Sequence, residues 1–263
     1  MTAVVYRVEA YNTAKASENK IHDDAVARRF GFGGGLVPGV DVYAYMAHLP
    51  VARWGRAWLD RGAAECRLLK PVYDGKIATV TAAEATGGLN LTVESEGVIC
   101  ATGLASLPDK APAPPAGFAE PPAPPETRPP ADDTTLAVGT QFGMRPLAIT
   151  RDFVEQSLAD LHETDPIYRR EGWAHPGSIL RIGNWVLNHN VVLGPWMHVG
   201  SRIQHYAAAQ IGDELTARAH VTGNYEKKGH QFVDVDVLVL ANGHTPIAHI
   251  AHVSIWRPRQ LAQ

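Results

Sequence analysis

A histidine followed by two carboxylates is the part of this sequence best suited to proton chemistry. His22 precedes Asp23 and Asp24, and a glycine-rich stretch, residues 31–39, then leads to the start of an expected helix. Histidine can take up and return a proton near neutral pH, so an imidazole on a polar segment is a candidate acid or base. The chain has 12 histidines, and most are expected at the surface or in the core. The triplet alone is therefore weak evidence for a site.

The elements that must position this segment include two helices. Apolar spacing predicts helices over Val40–Leu49 and Ser178–Leu187, and Gly39 and Gly177 stand at their starts. A helix N-terminus carries a partial positive charge and unpaired N–H groups, so it could polarise a carbonyl oxygen. Spacing by itself favours two ordinary helix starts over such a site, and both interpretations stay open.

Four β-rich runs follow each helix. Several of them are separated by the pairs Asp74-Gly75, Gly87-Gly88, Gly212-Asp213 and Asn242-Gly243. Asp-Gly and Asn-Gly are strong turn signals. A helix followed by an antiparallel meander, repeated twice, predicts an α+β domain duplicated by fusion. The predicted runs are 66–73, 76–84, 89–96 and 98–107 in the first part, and 201–210, 214–223, 231–240 and 247–256 in the second.

Proline and alanine crowd the chain between the two parts, over residues 108–130. Proline at this density cannot supply the N–H groups of a helix or sheet and favours extended geometry. The segment is interpreted as a semi-rigid spacer. We place the linker at 109–135, between domains at 1–108 and 136–263.

Composition limits the classes of function. The chain has 263 residues, 45% of them hydrophobic, 19% charged and two of them cysteines, with a net charge of −3. These values are typical of a globular protein and give no electrostatic reason to expect a nucleic acid or a membrane as partner. No apolar run is long enough to span a bilayer, and neither a signal peptide nor zinc-ligand spacing is present. The expectation is a cytoplasmic protein without a metal or another cofactor.

The first part resembles the MaoC-like (R)-specific enoyl-CoA hydratase family. The matching residues are Asn19, Ile21, His22, Phe30-Gly31-Phe32, Gly39 and Pro71-Val72-Tyr73-Asp74-Gly75. The resemblance implies tandem hot-dog domains, each a long helix wrapped by an antiparallel sheet, with an acyl tunnel where the two helices pack together. It also implies a hydratase or dehydratase of fatty acid metabolism, acting on an acyl thioester of CoA or acyl carrier protein (ACP).

The departures from the family pattern concern the catalytic pair. Family members hold a water between an aspartate and a histidine, but Ser17 stands at the aspartate position here. A serine cannot replace a carboxylate base without an activating partner. The resemblance therefore implies His22 as the acid/base group and leaves its partner open among Glu18, Asp23 and Asp24. The predicted catalytic set is Ser17, Glu18, His22 and Gly39; the predicted substrate-binding set is Asn19, Asp23, Phe32, Gly35, Tyr168 and Gly177.

The second part departs in a complementary way. Residues 162–168 align with the same signature, with Glu163 at the acidic position and Tyr168 at the histidine position. This copy is expected to keep the carboxylate, lack the imidazole and shape the acyl pocket. The paired basic residues at 28–29, 169–170 and 227–228 could meet the phosphates of CoA.

Two other functions remain open from the sequence. One is thioester hydrolysis, and the other is a non-catalytic hot-dog protein that binds an acyl group or partners with a catalytic subunit. Ser17 is the residue that most favours the non-catalytic alternative. Assembly into a homo-oligomer or hetero-oligomer also stays open.

Overall fold

A computed structural model describes residues 3–110 and 112–259 and shows one mixed α+β architecture. Its eleven strands form a sheet in the order β1-β3-β4-β5-β2-β8-β11-β10-β9-β6, with β7 also paired to β9. None of the described helices combines the length and the apolar character needed to cross a membrane. The strands are β1 Val4–Glu9, β2 Ala63–Leu68, β3 Ile77–Ala85, β4 Gly88–Ser95, β5 Val98–Ser106, β6 Gln141–Gly143, β7 Leu147–Ala148, β8 Met197–His205, β9 Glu214–Lys227, β10 His230–Ala241 and β11 Thr245–Arg257. The helices are α1 Asp24–Arg29, α2 Gly39–Trp54, α3 Arg56–Arg61, α4 Arg151–Asp160, α5 Ile167–Glu171, α6 Pro176–Leu180 and α7 Ile182–Asn188.

The central helix of the first half is α2, which packs on one face of β1, β3, β4 and β5. Alternate side chains of β3, such as Ala78 and Val80, are fully buried beneath it. This alternation follows from the period of two in a strand, which sends every second side chain to the same face. Burial of one face of each strand against an apolar helix is the main source of stability in this half.

The two halves share one sheet because β2 and β8 pair edge to edge. These strands run antiparallel, and Cys66 lies opposite Ser201. Strand β2 also pairs with β5, and β8 pairs with β11, so neither is a free edge. The pairing removes two exposed edges. It also places the start of α2 beside the start of β8.

Each of the eight β-rich runs predicted from the sequence overlaps a strand, although run 66–73 shares only its first three residues with β2. Glycine-containing turns connect several of these strands. Asn242 and Gly243, between β10 and β11, have φ of 53° and 77°, the left-handed pair that a tight hairpin needs. Lys228 and Gly229, between β9 and β10, adopt the same conformation with φ of 56° and 75°. Strands β6 and β7, with three and two residues, were not predicted because such short runs carry no periodic signal.

The second-half helix differs from the prediction because it is interrupted. The sequence predicts one helix over Ser178–Leu187, but α6 ends at Leu180 and α7 begins at Ile182. Arg181 lies at the break and forms an ion pair with Asp41 of α2. The resemblance implied a long helix in each domain; this half has two short helices instead. The interruption brings a cationic side chain of the second half to the start of the first-half helix.

The proline-rich segment runs over the outer face of the second-half sheet. Phe118 packs against His220 and His249, with ring centroids 5.2 and 5.9 Å apart, and its carbonyl accepts a hydrogen bond of 3.3 Å from Arg218. Pro130 forms an isolated bridge with Val192. These contacts fit a spacer held against the sheet, and the boundaries at 109–135 stay a prediction.

Three imidazoles lie between the helices and the sheet: His205 and His252 are buried, and His198 is partly exposed in the wall of a cavity. The Oγ of Ser201 lies 2.8 Å from His198 Nε2 and 2.9 Å from His252 Nδ1, and the two rings stack at 4.2 Å. His205 packs against Trp58 at 5.1 Å. Burial lowers the pKa of His198 and of His205 to about 4 and that of His252 well below its ordinary value. These side chains are therefore neutral in the folded protein at neutral pH.

We expect acid to destabilise the fold through these histidines. The unfolded chain binds protons with a pKa of about 6.5 while the folded chain resists them, so stability is complete above that pH and falls toward about pH 4. The free energy of unfolding, measured with urea, should fall by on the order of several kcal/mol between about pH 7 and pH 5. His205→Gln should flatten this dependence, and His244→Gln, at an exposed turn, should not. A free energy that is constant over this interval contradicts the expectation.

Candidate functional site

A short 3-10 turn, Lys20–His22, carries the candidate histidine and is fixed by Asn19. The Oδ1 atom of Asn19 accepts hydrogen bonds from the amides of Ile21 at 3.3 Å and Trp196 at 3.2 Å. Its Nδ2 donates to the carbonyl of Trp196 at 2.9 Å. Because Trp196 directly precedes β8, the predicted binding residue Asn19 holds the His22 turn against the second half.

The hydrogen bonds of the His22 imidazole determine which ring nitrogen carries the proton. Its Nδ1 lies 2.7 Å from the carbonyl oxygen of Leu36, and only a protonated nitrogen can bond to that acceptor, so the lone pair lies on Nε2. Nε2 lies 3.4 Å from Asn19 Nδ2. Burial lowers the pKa of His22; the Leu36 carbonyl and Asp41 oppose that shift, and Arg181 adds to it. The structure therefore favours a neutral ring whose unprotonated Nε2 accepts from the Asn19 amide at 3.4 Å.

The glycine-rich loop brings its backbone against this turn. A Cβ on Gly35 would lie 2.2 Å from the carbonyl oxygen of His22, so a side chain cannot be accommodated there. The Gly35 amide donates to Asp24 Oδ1 at 2.7 Å. Asp23 caps α1 by accepting from the amides of Ala25 and Val26. Asp23, Asp24 and Gly35 thus shape the backbone around His22. The sequence analysis considered Asp23 and Asp24 as partners of the imidazole, but their carboxylates bond to backbone amides instead.

An apolar cavity of about 350 Å³ opens beside His22, at the contact between the halves. Gly39 forms part of its wall, and a Cβ there would lie 2.2 Å from Leu68 Cδ1. The amides of Asp41 and Val42 donate to the carbonyl of Pro38 at 2.9 and 3.2 Å. Within the described residues, the amides of Gly39 and Val40 have no acceptor, as is usual at a helix start. The apolar lining comes from both halves: Ile21, Phe32, Leu36, Val37, Val42, Leu68, Leu69, Val72, Trp196, Met197, Val199 and Ile255.

A second cavity, of about 470 Å³, is polar and adjoins the first. Three arginines contribute to it: Arg128 from the linker, and Arg145 and Arg181 from the second half. The residues that line both cavities are Asn19, His22, Pro38, Asn184 and Trp196. His22 therefore lies where an apolar and a polar cavity meet.

Two predicted catalytic residues line the polar cavity without contacting the imidazole. Ser17 Oγ donates to the carbonyl of Asn19 at 3.3 Å. Both carboxylate oxygens of Glu18 accept hydrogen bonds of 2.9 Å from Arg128, which also donates to the carbonyl of Asn188 at 2.6 Å. Within the described residues, the imidazole of His22 forms no hydrogen bond to a carboxylate, so none of the predicted partners occupies that role.

A buried ion pair that was not predicted lies close by. Asp41, 1% exposed, accepts a hydrogen bond of 2.6 Å from Thr13 Oγ1 and pairs with Arg181. Both charged groups influence the pKa of His22. The sequence contained one signal for this pair, because Asp41 is an acidic residue in the first turn of an otherwise apolar helix.

Glu163, the carboxylate at the acidic position of the second half, has two imidazole partners. Glu163 Oε1 lies 2.8 Å from His48 Nδ1, and its Oε2 lies 3.3 Å from His175 Nε2. The amides of Thr164 and Asp165 also donate to it at 2.7 Å. Burial alone would raise the pKa of Glu163, but these hydrogen bonds hold it well below its ordinary value. Tyr168 occupies the histidine position of the signature, and the imidazoles beside Glu163 come from His175 of the same half and His48 of the first half.

Other predicted binding residues lie away from both cavities. Tyr168 is fully buried. A Cβ on Gly177 would lie 2.4 Å from the Cβ of Ala44, so this glycine allows α6 to pack closely on α2.

Of the basic pairs, Arg169 and Arg170 form ion pairs with Glu155 and Glu171, respectively. None of the paired basic residues that were predicted to meet phosphates is among the arginines that line the polar cavity.

Phe32, by contrast, lies in the wall of the apolar cavity; its predicted role in binding stays a prediction. Among the residues that the structure describes, no group of three or more histidine, cysteine or acidic side chains could hold a metal ion.

Comparison with solved structures shows a double hot-dog fold. A protein from Chloroflexus aurantiacus J-10-fl described as a MaoC domain protein dehydratase aligns with a TM-score of 0.64 at 11% identity, covering 98% of this chain and 95% of the other. A conserved hypothetical protein from Mycobacterium tuberculosis with a double hotdog fold aligns at 0.63 and 14%, covering 97% and 96%. A protein from Novosphingobium aromaticivorans DSM 12444 described as a thioesterase aligns at 0.51 and 12%, covering 97% and 96%. The predicted fold is confirmed.

Sequence comparison gives no closer relative: no protein-family model matches the chain, and no curated protein matches it. The fold is therefore shared with proteins of more than one described activity.

We expect His22 to titrate below its ordinary pKa. Burial disfavours the imidazolium, so its Cε1–H resonance should shift with a midpoint below about 6.5 in an NMR titration. The signal can be assigned by its loss in His22→Gln. A midpoint at or above the ordinary value would contradict the proposed burial of the ring.

We expect the Glu163 cluster to stabilise the fold. Glu163→Ala leaves His48 and His175 without their shared carboxylate, and loss of one partner from a buried charged cluster costs on the order of 3 kcal/mol. Urea denaturation measures this loss. Glu155→Ala, which removes an exposed partner of Arg169, is the matched control and should change the free energy of unfolding by less than about 1 kcal/mol.

Proposed function

We propose that this protein is a hydratase or dehydratase of α,β-unsaturated or 3-hydroxy acyl thioesters. The observation that carries the proposal is the neutral His22 imidazole, whose unprotonated Nε2 contacts the Asn19 amide at 3.4 Å, at the junction of an apolar and a polar cavity. An acyl thioester is divided in the same way: its apolar acyl chain lies on one side of the reacting carbons and its polar carrier arm on the other. The double hot-dog fold shared with a protein described as a dehydratase supports the same class of reaction.

The acyl chain fits the apolar cavity. Its volume of about 350 Å³ lies within the common range of small-molecule sites, and aliphatic side chains of both halves line it. The amide-rich pantetheine arm, which CoA and ACP share, fits the polar cavity. Arg145, exposed beside that cavity, is placed to meet a phosphate at the end of the arm.

His22 would transfer the proton in both directions. In hydration, Nε2 takes a proton from water as the oxygen bonds to the β-carbon, and the electrons of the double bond move toward the thioester carbonyl. The imidazolium then gives the proton to the α-carbon, so that one water is added in total. The amide of Gly39 and the N-terminal end of α2 would stabilise the charge on the thioester oxygen, as preorganised donors do in other acyl chemistry.

The second half would serve as a wall of the pocket. Glu163 is committed to His48 and His175, while Trp196, Met197 and Val199 of this half line the acyl cavity. We also propose that the reaction belongs to fatty acid metabolism in the cytoplasm.

We expect His22→Ala to lower the rate of hydration by about a hundred- to ten-thousandfold, because it removes the acid/base group. Mass spectrometry of a panel of enoyl-CoA esters should show the mass of one added water with the wild-type protein. His244→Ala, at an exposed turn between β10 and β11, is the matched control and should retain activity.

The outcomes separate the alternative functions. Retention of near wild-type turnover by His22→Ala would overturn the role of His22. Release of free CoA, detected with a thiol reagent, would indicate thioester hydrolysis. Saturable binding of acyl-CoA with no change of mass would indicate a non-catalytic binding protein, for which Ser17 in place of a carboxylate would be the reason.

A further inference from the structure

Hydration requires a group that holds the reacting water in addition to the base that deprotonates it. The imidazole of His22 can remove the proton, but among the described residues no carboxylate bonds to it. As the proton leaves, negative charge develops on the water oxygen. A cationic hydrogen-bond donor on the other side of that oxygen would stabilise the charge and fix the position of the water.

Arg181 is the cationic group best placed for this task. It lies at the break between α6 and α7 and lines the polar cavity together with His22. Its charge contributes to the lowered pKa of His22, as expected of a guanidinium close to the imidazole. Its side chain is 24% exposed, so it is largely enclosed and still reaches the cavity.

The guanidinium is held from one side only. Its Nη2 contacts the carboxylate of Asp41 and lies 3.4 Å from Thr13 Oγ1. No hydrogen bond from Nε or Nη1 is made to any residue in the described part of the chain. Because Asp41 is buried in the first turn of α2, the pair ties the orientation of Arg181 to the helix start that borders the site. Donors therefore remain for a ligand.

The other two arginines of the cavity are less suited. Arg128 is occupied by both oxygens of Glu18 and by the Asn188 carbonyl. Arg145 is exposed to solvent, where a guanidinium contributes less to stabilising a developing charge.

We propose that Arg181 binds the oxygen of the reacting water while His22 deprotonates it, with Asp41 and Thr13 as positioning residues. This inference rests on the hydratase activity proposed above. The guanidinium stays protonated throughout: His22 Nε2 takes one proton from water, the C–O bond forms at the β-carbon, and the same proton passes to the α-carbon. In dehydration, the same contact stabilises the departing hydroxyl oxygen.

Arg181→Ala tests the contact directly. Loss of a donor to a developing negative charge should lower kcat for enoyl-CoA hydration by about a hundredfold or more, with a smaller change in KM. Guanidinium ion at millimolar concentration should restore part of the lost rate, because the vacated space can admit the free cation. Arg169→Ala removes a surface arginine from an ion pair with Glu155 and should show neither the loss nor the rescue.

Two further variants keep the test valid if Arg181→Ala fails to fold. Arg181→Lys keeps the charge beside Asp41 but replaces the planar set of donors by a single ammonium. The double variant Arg181→Met with Asp41→Asn removes both charges of the buried pair. Both should fold, as judged by thermal melting, and both should lose most of kcat.

The possible results separate this inference from the proposed function. Hydration by the wild type, with near wild-type kcat in Arg181→Lys and in the double variant, would overturn the role of Arg181 alone. So would a loss of kcat in Arg181→Ala that guanidinium does not restore in a folded protein. A wild-type protein that hydrates no enoyl-CoA would overturn both proposals.

Discussion

Two hydrogen bonds between Asn19 and the backbone of Trp196 join the turn that carries His22 to the second half of the protein. They determine where the imidazole lies relative to the strand pair β2–β8 that unites the sheet. Both cavities are bordered by Asn19 and Trp196. The site therefore exists only when the halves are correctly paired, and a fused chain guarantees that pairing at any protein concentration.

The asymmetry of the two halves follows from how each uses its charged groups. In the first half, the unprotonated Nε2 of His22 contacts the Asn19 amide at 3.4 Å, and the ring borders both cavities. In the second, Glu163 is hydrogen-bonded to two imidazoles and two amides, which stabilises the carboxylate. The interrupted helix of the second half adds Arg181, while the continuous helix of the first supplies Asp41. The proposed site is thus assembled from complementary parts of two unequal copies.

The sequence predicted eight of the eleven strands and the duplication because these depend on local patterns. Alternating burial and turn conformations such as that of Asn242-Gly243 are encoded within a few neighbouring residues. The partners of His22 could not be predicted in this way. Asp41 and Arg181 are separated by 140 positions, and Asn19 and Trp196 by 177. Their proximity depends on how the halves pack, which a single sequence does not display.

Predicting the partners of Glu163 required the same information about contacts between residues far apart in sequence. Its partner His48 lies 115 positions away, on a helix of the other half. The predicted basic pairs do not include the arginines that line the polar cavity, because adjacency in sequence says little about which cations line a common space.

The measurement that tests the central claim most directly is hydration of an enoyl-CoA ester in deuterium oxide, followed by NMR of the product. The account predicts one carbon-bound deuterium at the α-carbon, on a single face, because one fixed imidazole delivers the proton. An intact double bond with free CoA, or deuterium on both faces in equal amounts, would contradict proton delivery by His22.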